Sequence, residues 1–214
     1  MTLWIDALIV LLVLTNLRLL GSSRLMACVR IVAVQGIVLG LLPLLAGADG
    51  PDLRMLLVAA ASISLKGVVF PWLLLRALRD ASVRREVEPF VGYTLSMLAG
   101  IGLLVGALWL GSRLPLPGSV SSSLVVPVAL FTMLVGLFVI VSRKQAINQV
   151  LGYLALENGI YAFGMAFAQK EPLLIELGIL LDVFMAVFVM GITIFHISRE
   201  FDHTDTDQLS ALRD

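Results

Sequence analysis

Three ionisable residues lie deep inside apolar stretches where charge is costly, and each such residue marks a functional site by default. Glu157 sits about 15 Å from the start of its stretch, Asp182 about 15 Å from the start of the next, and Lys66 about 20 Å into a third, at 1.5 Å per helical residue. All three fall near the midplane of a bilayer. Burial disfavours a lone charge and an opposite charge nearby restores it, so two carboxylates and one amine at one depth suit a proton relay. The surroundings support this chemistry. Tyr153 and Tyr161 flank Glu157 at i−4 and i+4, and Asn158 follows it, so hydroxyls and an amide are in reach of the carboxyl. Asp182 has Gly178 and Ala186 one turn away on either side, small residues that let another helix approach. Lys66 precedes Gly67, and Pro71 lacks the N–H that would bond the Gly67 carbonyl, which predicts a kinked segment there. A bland alternative is that all three only lock helices together.

Other charges have an escape. Arg30 is within about 8 Å of the end of its stretch and can snorkel. Glu176 and Asp6 lie near an interface. The tail residues Asp202, His203, Asp205 and Asp207 have metal-ligand types, but nothing rigid would hold them, and a solvated tail is expected.

The elements that must position these residues are membrane helices. Of 214 residues, 59% are hydrophobic and 14% charged, and the mean hydropathy is +1.02. A soluble domain needs more polar surface. The apolar residues come in blocks of about twenty, the length that crosses a bilayer as helix, and not in the alternating segments of a barrel. The spacing predicts seven spans, at 3–20, 25–46, 53–77, 90–110, 124–141, 147–168 and 172–197, an all-α integral membrane protein. Gly-Ser-Ser at 21–23, Gly-Ala-Asp-Gly-Pro at 47–51 and Leu-Pro-Leu-Pro-Gly-Ser at 114–119 separate them. Met1 to Asp6 carries no basic residue, so the first segment is expected to be an anchor and not a secretory signal.

Arg18 and Arg24, then Arg76, Arg79, Arg84 and Arg85, then Arg143 and Lys144 crowd alternate connections, while the others are poor in basic residues. The positive-inside rule then places the N-terminus outside and the tail from Ser198 in the cytoplasm. The net charge is zero, and no basic stripe suggests nucleic acid. There is no nucleotide loop, Cys/His cluster or nucleophile motif. Cys28 is expected to be a buried small hydrophobe.

The stretch Ser142-Arg-Lys-Gln-Ala-Ile-Asn-Gln-Val-Leu-Gly-Tyr-Leu-Ala-Leu-Glu157-Asn-Gly-Ile-Tyr161 resembles the second helix of the K-type (4L) subunits of respiratory complex I. Leu-Gly-Ile-Leu-Leu-Asp182-Val-Phe-Met-Ala-Val-Phe occupies the place of that family's third helix, with Asp182 where the family usually has glutamate. The resemblance covers about residues 124–197. The whole chain resembles the extended version of the unit, the hydrogenase-4 component E family, in length, in its added N-terminal helices and in the Glu-Asn-Gly and Glu-Leu-Gly-Ile-Leu-Leu-Asp wording. Lys66-Gly-Val-Val-Phe-Pro71-Trp72 is more distantly similar to the Lys/Pro/Trp helix of antiporter-like subunits.

The resemblance implies a non-catalytic subunit of a group 4 NiFe hydrogenase or formate hydrogenlyase, in the cytoplasmic membrane of a prokaryote. It implies neighbours of two kinds, antiporter-like subunits and a hydrogenase-anchoring subunit. The NiFe centre and iron–sulfur clusters would sit in partner subunits, since one cysteine cannot ligate them. Residues 1–120 would form an N-terminal four-helix segment, 121–197 the 4L-like unit and 198–214 a polar tail. Glu157 and Asp182 would be proton-path acids with Lys66 a third member, and Glu176, Tyr153, Tyr161, Asn158 and Lys144 possible contributors. The alternatives are the C-type subunit of a multisubunit cation/proton antiporter, against which the extra N-terminal spans speak, and a spacer without proton transfer. A stand-alone transporter would need an inverted repeat, which the sequence lacks.

Overall fold

In hydrocarbon every backbone amide must be satisfied within its own segment, so the apolar blocks fold as helices. The computed structural model describes residues 2–46, 53–80, 89–114 and 122–167, and every element among them is helical. The helices are α1 (Thr2–Gly21), α2 (Leu25–Ala46), α3 (Leu53–Ser62), a π-helical segment (Ile63–Val69), α4 (Phe70–Asp80), α5 (Tyr93–Arg113), α6 (Val125–Ser142) and α7 (Ala146–Phe167). Five stretches are long and apolar enough to cross a membrane: Leu3–Gly21, Leu25–Leu45, Ala59–Arg76, Tyr93–Arg113 and Val125–Ser142. Helix α7, of 22 residues, packs along α6 as a sixth member of the bundle. The expected seventh span, 172–197, and the polar tail lie outside the described residues.

The third span differs from a simple kink. The predicted break at Lys66-Gly67 is taken up by the π segment, which joins α3 to α4 without interruption. The Phe70 N–H bonds the Leu65 carbonyl, five residues back. Widening the turn in this way absorbs the N–H that Pro71 lacks.

Consecutive spans run antiparallel, so helix ends gather in two groups. At one end the Phe90 N–H donates to the Ser142 carbonyl (3.0 Å). There Arg143 donates to the Leu20 carbonyl (2.8 Å) and the Val91 carbonyl (3.4 Å) and stacks over the Tyr93 ring at 4.5 Å. Arg18, Arg24, Arg76, Arg79 and Lys144 share this basic end. At the other end Ser122 Oγ donates to Asp6 Oδ1 (2.7 Å), and Gly111 packs on Pro127. Arg143, one of the basic residues counted in this connection, is buried. It caps α1, whose last carbonyls have no helical partner of their own.

Two apolar clusters fill the bundle. One, nearer the basic end, joins Leu20, Val29, Phe70, Leu74, Phe131, Val135 and Leu151 among others. The second, toward the opposite end, joins Ile9, Leu39, Leu42, Val128, Ala129 and Tyr161. On α1, α2 and α7 a short polar stretch or residue separates the two: Thr15 and Asn16, Gln35, and Glu157 with Asn158; on α6 Thr132 lies just past the changeover, next to Phe131 of the first cluster. Asn16, Gln35, Lys66, Thr132, Glu157 and Asn158 are all buried. The molecule thus carries one polar layer near half-height, clamped between apolar halves.

Candidate functional site

Glu157 stands eleven residues into α7, about 16 Å from its start. Its position is fixed by the close approach of α6 and α7. A Cβ on Gly159 would lie 2.6 Å from the Met133 backbone nitrogen and 2.9 Å from the Ala129 carbonyl oxygen, and one on Gly152 would lie 2.9 Å from the Gly136 carbonyl oxygen. Only glycine fits these backbone-to-backbone contacts. This gives a physical reason for the Glu157-Asn158-Gly159 order: the glycine seats the helix and the acid is thereby held at one height.

Lys66 reaches the same height from the π segment. Its own backbone packs on α2, where a Cβ on Gly36 would lie 2.5 Å from Lys66 Cβ and 3.1 Å from its carbonyl oxygen. Lys66 Nζ lies 2.8 Å from Glu157 Oε1, with the two side chains 4% and 1% exposed. The same ammonium sits over the Tyr161 ring, 5.0 Å from its centre. Tyr161 follows Glu157 by one helical turn, so acid and ring share a face. The ion pair joins two helices across the bundle core. In such a place the Coulomb attraction is strong, and so is the cost of leaving either charge alone.

The pair keeps spare hydrogen-bonding capacity. Among the described residues Glu157 Oε2 and Asn158 Nδ2 have no hydrogen-bond partner. Asn158 is buried beside Glu157, and Tyr153 is half-buried one turn toward the basic end.

A second, neutral part of the layer spans α1, α2 and α6. Gln35 Nε2 donates to Asn16 Oδ1 (2.9 Å) and Thr15 Oγ1 (3.2 Å). Asn16 Nδ2 donates to Thr132 Oγ1 (2.8 Å), which donates to the Val128 carbonyl (2.7 Å). Gln35 is the neighbour in sequence of Gly36, the residue against which Lys66 packs. Gln35 and Thr132 were passed over by a sequence reading confined to ionisable groups. The depth count that singled out Lys66 finds them equally well when applied to amides and hydroxyls.

The remaining predicted residues are placed as follows. Lys144 is exposed at the basic end, over the Phe90 ring at 5.2 Å, thirteen residues or about 20 Å of helix rise from Glu157; the fold does not bring it to the pair. Arg30 is exposed, as snorkelling requires. Cys28 is buried, with its thiol 3.7 Å from the Ser22 carbonyl. Asp182 and Glu176 lie outside the described residues. No group of three His, Cys, Asp or Glu that could hold a metal occurs among the described residues.

The sequence model of the NADH-ubiquinone/plastoquinone oxidoreductase chain 4L family matches residues 124–214. The chain is 36% identical over 206 residues to the uncharacterized protein Rv0085 of Mycobacterium tuberculosis, an alignment that covers 95% of this chain and 93% of that protein. It is 26% identical over 160 residues to hydrogenase-4 component E of Escherichia coli K12, covering 75% and 74%, and the component E of Shigella flexneri aligns to the same extent. No solved structure matches the chain. The family match begins at the start of α6 and takes in Glu157, while the relatives extend the likeness toward the N-terminus. The chain therefore belongs to the hydrogenase-4 component E family, extended relatives of chain 4L, and is a multi-pass membrane subunit of a complex I-like assembly.

Proposed function

We propose that the chain forms one section of a lateral proton path in the membrane arm of a group 4 membrane-bound NiFe hydrogenase or formate hydrogenlyase. The observation that carries this is the Lys66–Glu157 pair, 2.8 Å apart and buried on two different spans. A proton moving from Lys66 Nζ to Glu157 Oε1 converts the ion pair to a neutral amine and a neutral acid, and its return restores the pair. Either state leaves the core without net charge, so the step avoids the large cost of an isolated buried ion. Asp182 would pass the proton onward, with Tyr153, Tyr161, Asn158 and Glu176 as neighbours of the path. The Tyr161 ring face lies against Lys66 Nζ, 5.0 Å from its centre.

Moving one charge through 100 mV takes about 2.3 kcal/mol. That drive would come from hydrogen chemistry in partner subunits, which hold the NiFe centre and iron–sulfur clusters. This chain would be non-catalytic and would sit between antiporter-like subunits and the hydrogenase-anchoring subunit. Residues 1–120 would supply Lys66 to the path, with the basic end in the cytoplasm of a prokaryotic cell.

The test is proton pumping coupled to hydrogen turnover in proteoliposomes of the assembled complex. Glu157→Gln and Lys66→Met are each expected to abolish pumping while the complex still assembles. Unchanged pumping in assembled Glu157→Gln complex would leave the spacer role instead, and unchanged pumping in Lys66→Met alone would make the lysine structural.

A further inference from the structure

Arg18, Arg24 and Arg30 converge on a cleft of about 540 Å³ between α1 and α2 at the basic end of the bundle. Its other walls are Thr15, Met26, Ala27, Ile31 and Val34. All three arginines are exposed, and no acidic side chain among the described residues pairs with any of them. The one hydroxyl among the described lining residues is already engaged: Thr15 Oγ1 donates to the Leu12 carbonyl (2.8 Å) and accepts from Gln35. What the cleft offers a ligand is therefore positive charge and apolar wall.

The two are arranged by depth. Arg18 closes the last turn of α1 and Arg24 immediately precedes α2, so both stand at the bundle end. Arg30 lies about 8 Å further in along α2, and Val34 about 14 Å in, by helix rise. Met26 and Val34 are 41% and 40% exposed, and the same face continues into the exposed Leu11 and Leu14 of α1. A small soluble anion would use the arginines and leave this apolar run uncovered. A phospholipid with an anionic headgroup matches both parts: its phosphate lies among guanidiniums, which bind phosphate oxygens in a fixed fork, and its acyl chains cover Ile31 and Val34.

We propose that the α1/α2 cleft is a binding site for an anionic phospholipid, with Arg18, Arg24 and Arg30 as its headgroup ligands. The site is independent of the proton path: its residues stand apart from Lys66 and Glu157, and its occupancy does not depend on pumping.

Native mass spectrometry of the full chain in nonionic detergent tests this, with dioleoyl phosphatidylglycerol, dioleoyl phosphatidylcholine and inorganic phosphate as probes. Phosphatidylglycerol is expected to bind saturably and the other two not to. Each Arg→Gln change should weaken it about fivefold, and Arg18→Gln/Arg24→Gln/Arg30→Gln on the order of a hundredfold, the scale of basic residues at an anionic lipid surface. Arg76→Gln/Arg79→Gln, which removes two charges elsewhere at the same end, should leave binding within twofold. A photoactivatable phosphatidylglycerol on the unmodified complex in its membrane should label peptides of residues 15–34, which keeps the test open if the triple variant does not fold. Equal binding of the two lipids, competition by phosphate at matched concentration, unchanged affinity in a folded triple variant, or labelling only of other helices would each overturn the proposal. So would a partner polypeptide cross-linked to this cleft in place of lipid.

Discussion

Removing one member of the Lys66–Glu157 pair should cost far more than removing both. At 2.8 Å the Coulomb attraction is about 6 kcal/mol with an effective dielectric constant of about 20. Desolvating the two groups cancels several kcal/mol of this, so the pair as a whole contributes little net stability. The single changes behave differently. Lys66→Met leaves a carboxylate buried without its counter-charge, and Glu157→Leu does the same to the ammonium; each should destabilise by about 3–5 kcal/mol. The double variant Lys66→Met/Glu157→Leu restores an apolar contact of similar volume and should lose less than either single. The coupling energy then exceeds about 3 kcal/mol, well beyond the 0.3–0.5 kcal/mol within which independent sites add. The measurement is reversible unfolding of the full chain in mixed dodecyl maltoside and dodecyl sulfate micelles, followed by circular dichroism. The reasoning fails if the two single penalties simply sum in the double variant, because the residues would then not be partners.

Other features of the bundle give smaller, separate tests in the same unfolding assay. Gly159→Leu should cost about 3 kcal/mol or more by forcing α7 off the Met133 backbone, whereas Gly102→Ala, where an added Cβ meets nothing within 4 Å, should be neutral or slightly stabilising through helix propensity. Gln35→Leu removes the donor to Asn16 and Thr15 and should cost about 1 kcal/mol, the usual worth of such bonds between membrane helices. Arg143→Gln removes charged donors from the Leu20 and Val91 carbonyls and the stack on Tyr93, and should cost about 2 kcal/mol. Arg143→Lys should recover only part of it, since an ammonium lacks the planar fork.

Helix positions were readable because backbone desolvation leaves so little choice. The span predicted at 25–46 is α2, Leu25–Ala46, and that at 124–141 is α6, Val125–Ser142. The depth of Glu157 and Lys66 was readable for the same reason, since a fixed rise per residue converts sequence position to height. Their pairing was not. Which face Lys66 presents depends on the turn it occupies, and the π segment changes the residue count per turn where the lysine sits. Depth sets Lys66 and Glu157 at one level, but it says nothing about which helices adjoin, and the lysine arrives on a helix from about ninety residues earlier. The role of Arg143 was hidden for a different reason. Counting charges in loops cannot tell a solvated arginine from one that has turned inward to cap a helix, because the distinction lies in where the Leu20 carbonyl ends up.

The division of the polar layer into a neutral part and a charged part bears on which residues can act. Thr15, Asn16, Gln35 and Thr132 join α1, α2 and α6 through groups that neither gain nor lose a proton near neutral pH. Gln35 Nε2 and Asn16 Nδ2 supply the hydrogen bonds that hold these three helices in register. Lys66 and Glu157 join the third span to α7, and among the described residues of the layer they are the ion pair, the two groups that the proposed path would use to exchange a proton without leaving net charge in the core. The close contacts serve the same end. Gly36 admits the π segment against α2, and Gly159 admits α7 against α6, so backbone packing sets both ends of the 2.8 Å gap before the side chains contribute. A pair held this way is pre-organised, and on the proposed path its proton would move with little motion of the helices that carry it. Disturbing Gly36 or Gly159 should therefore lower pumping in whatever complex still assembles, and unchanged pumping with the glycine contacts removed would count against that path.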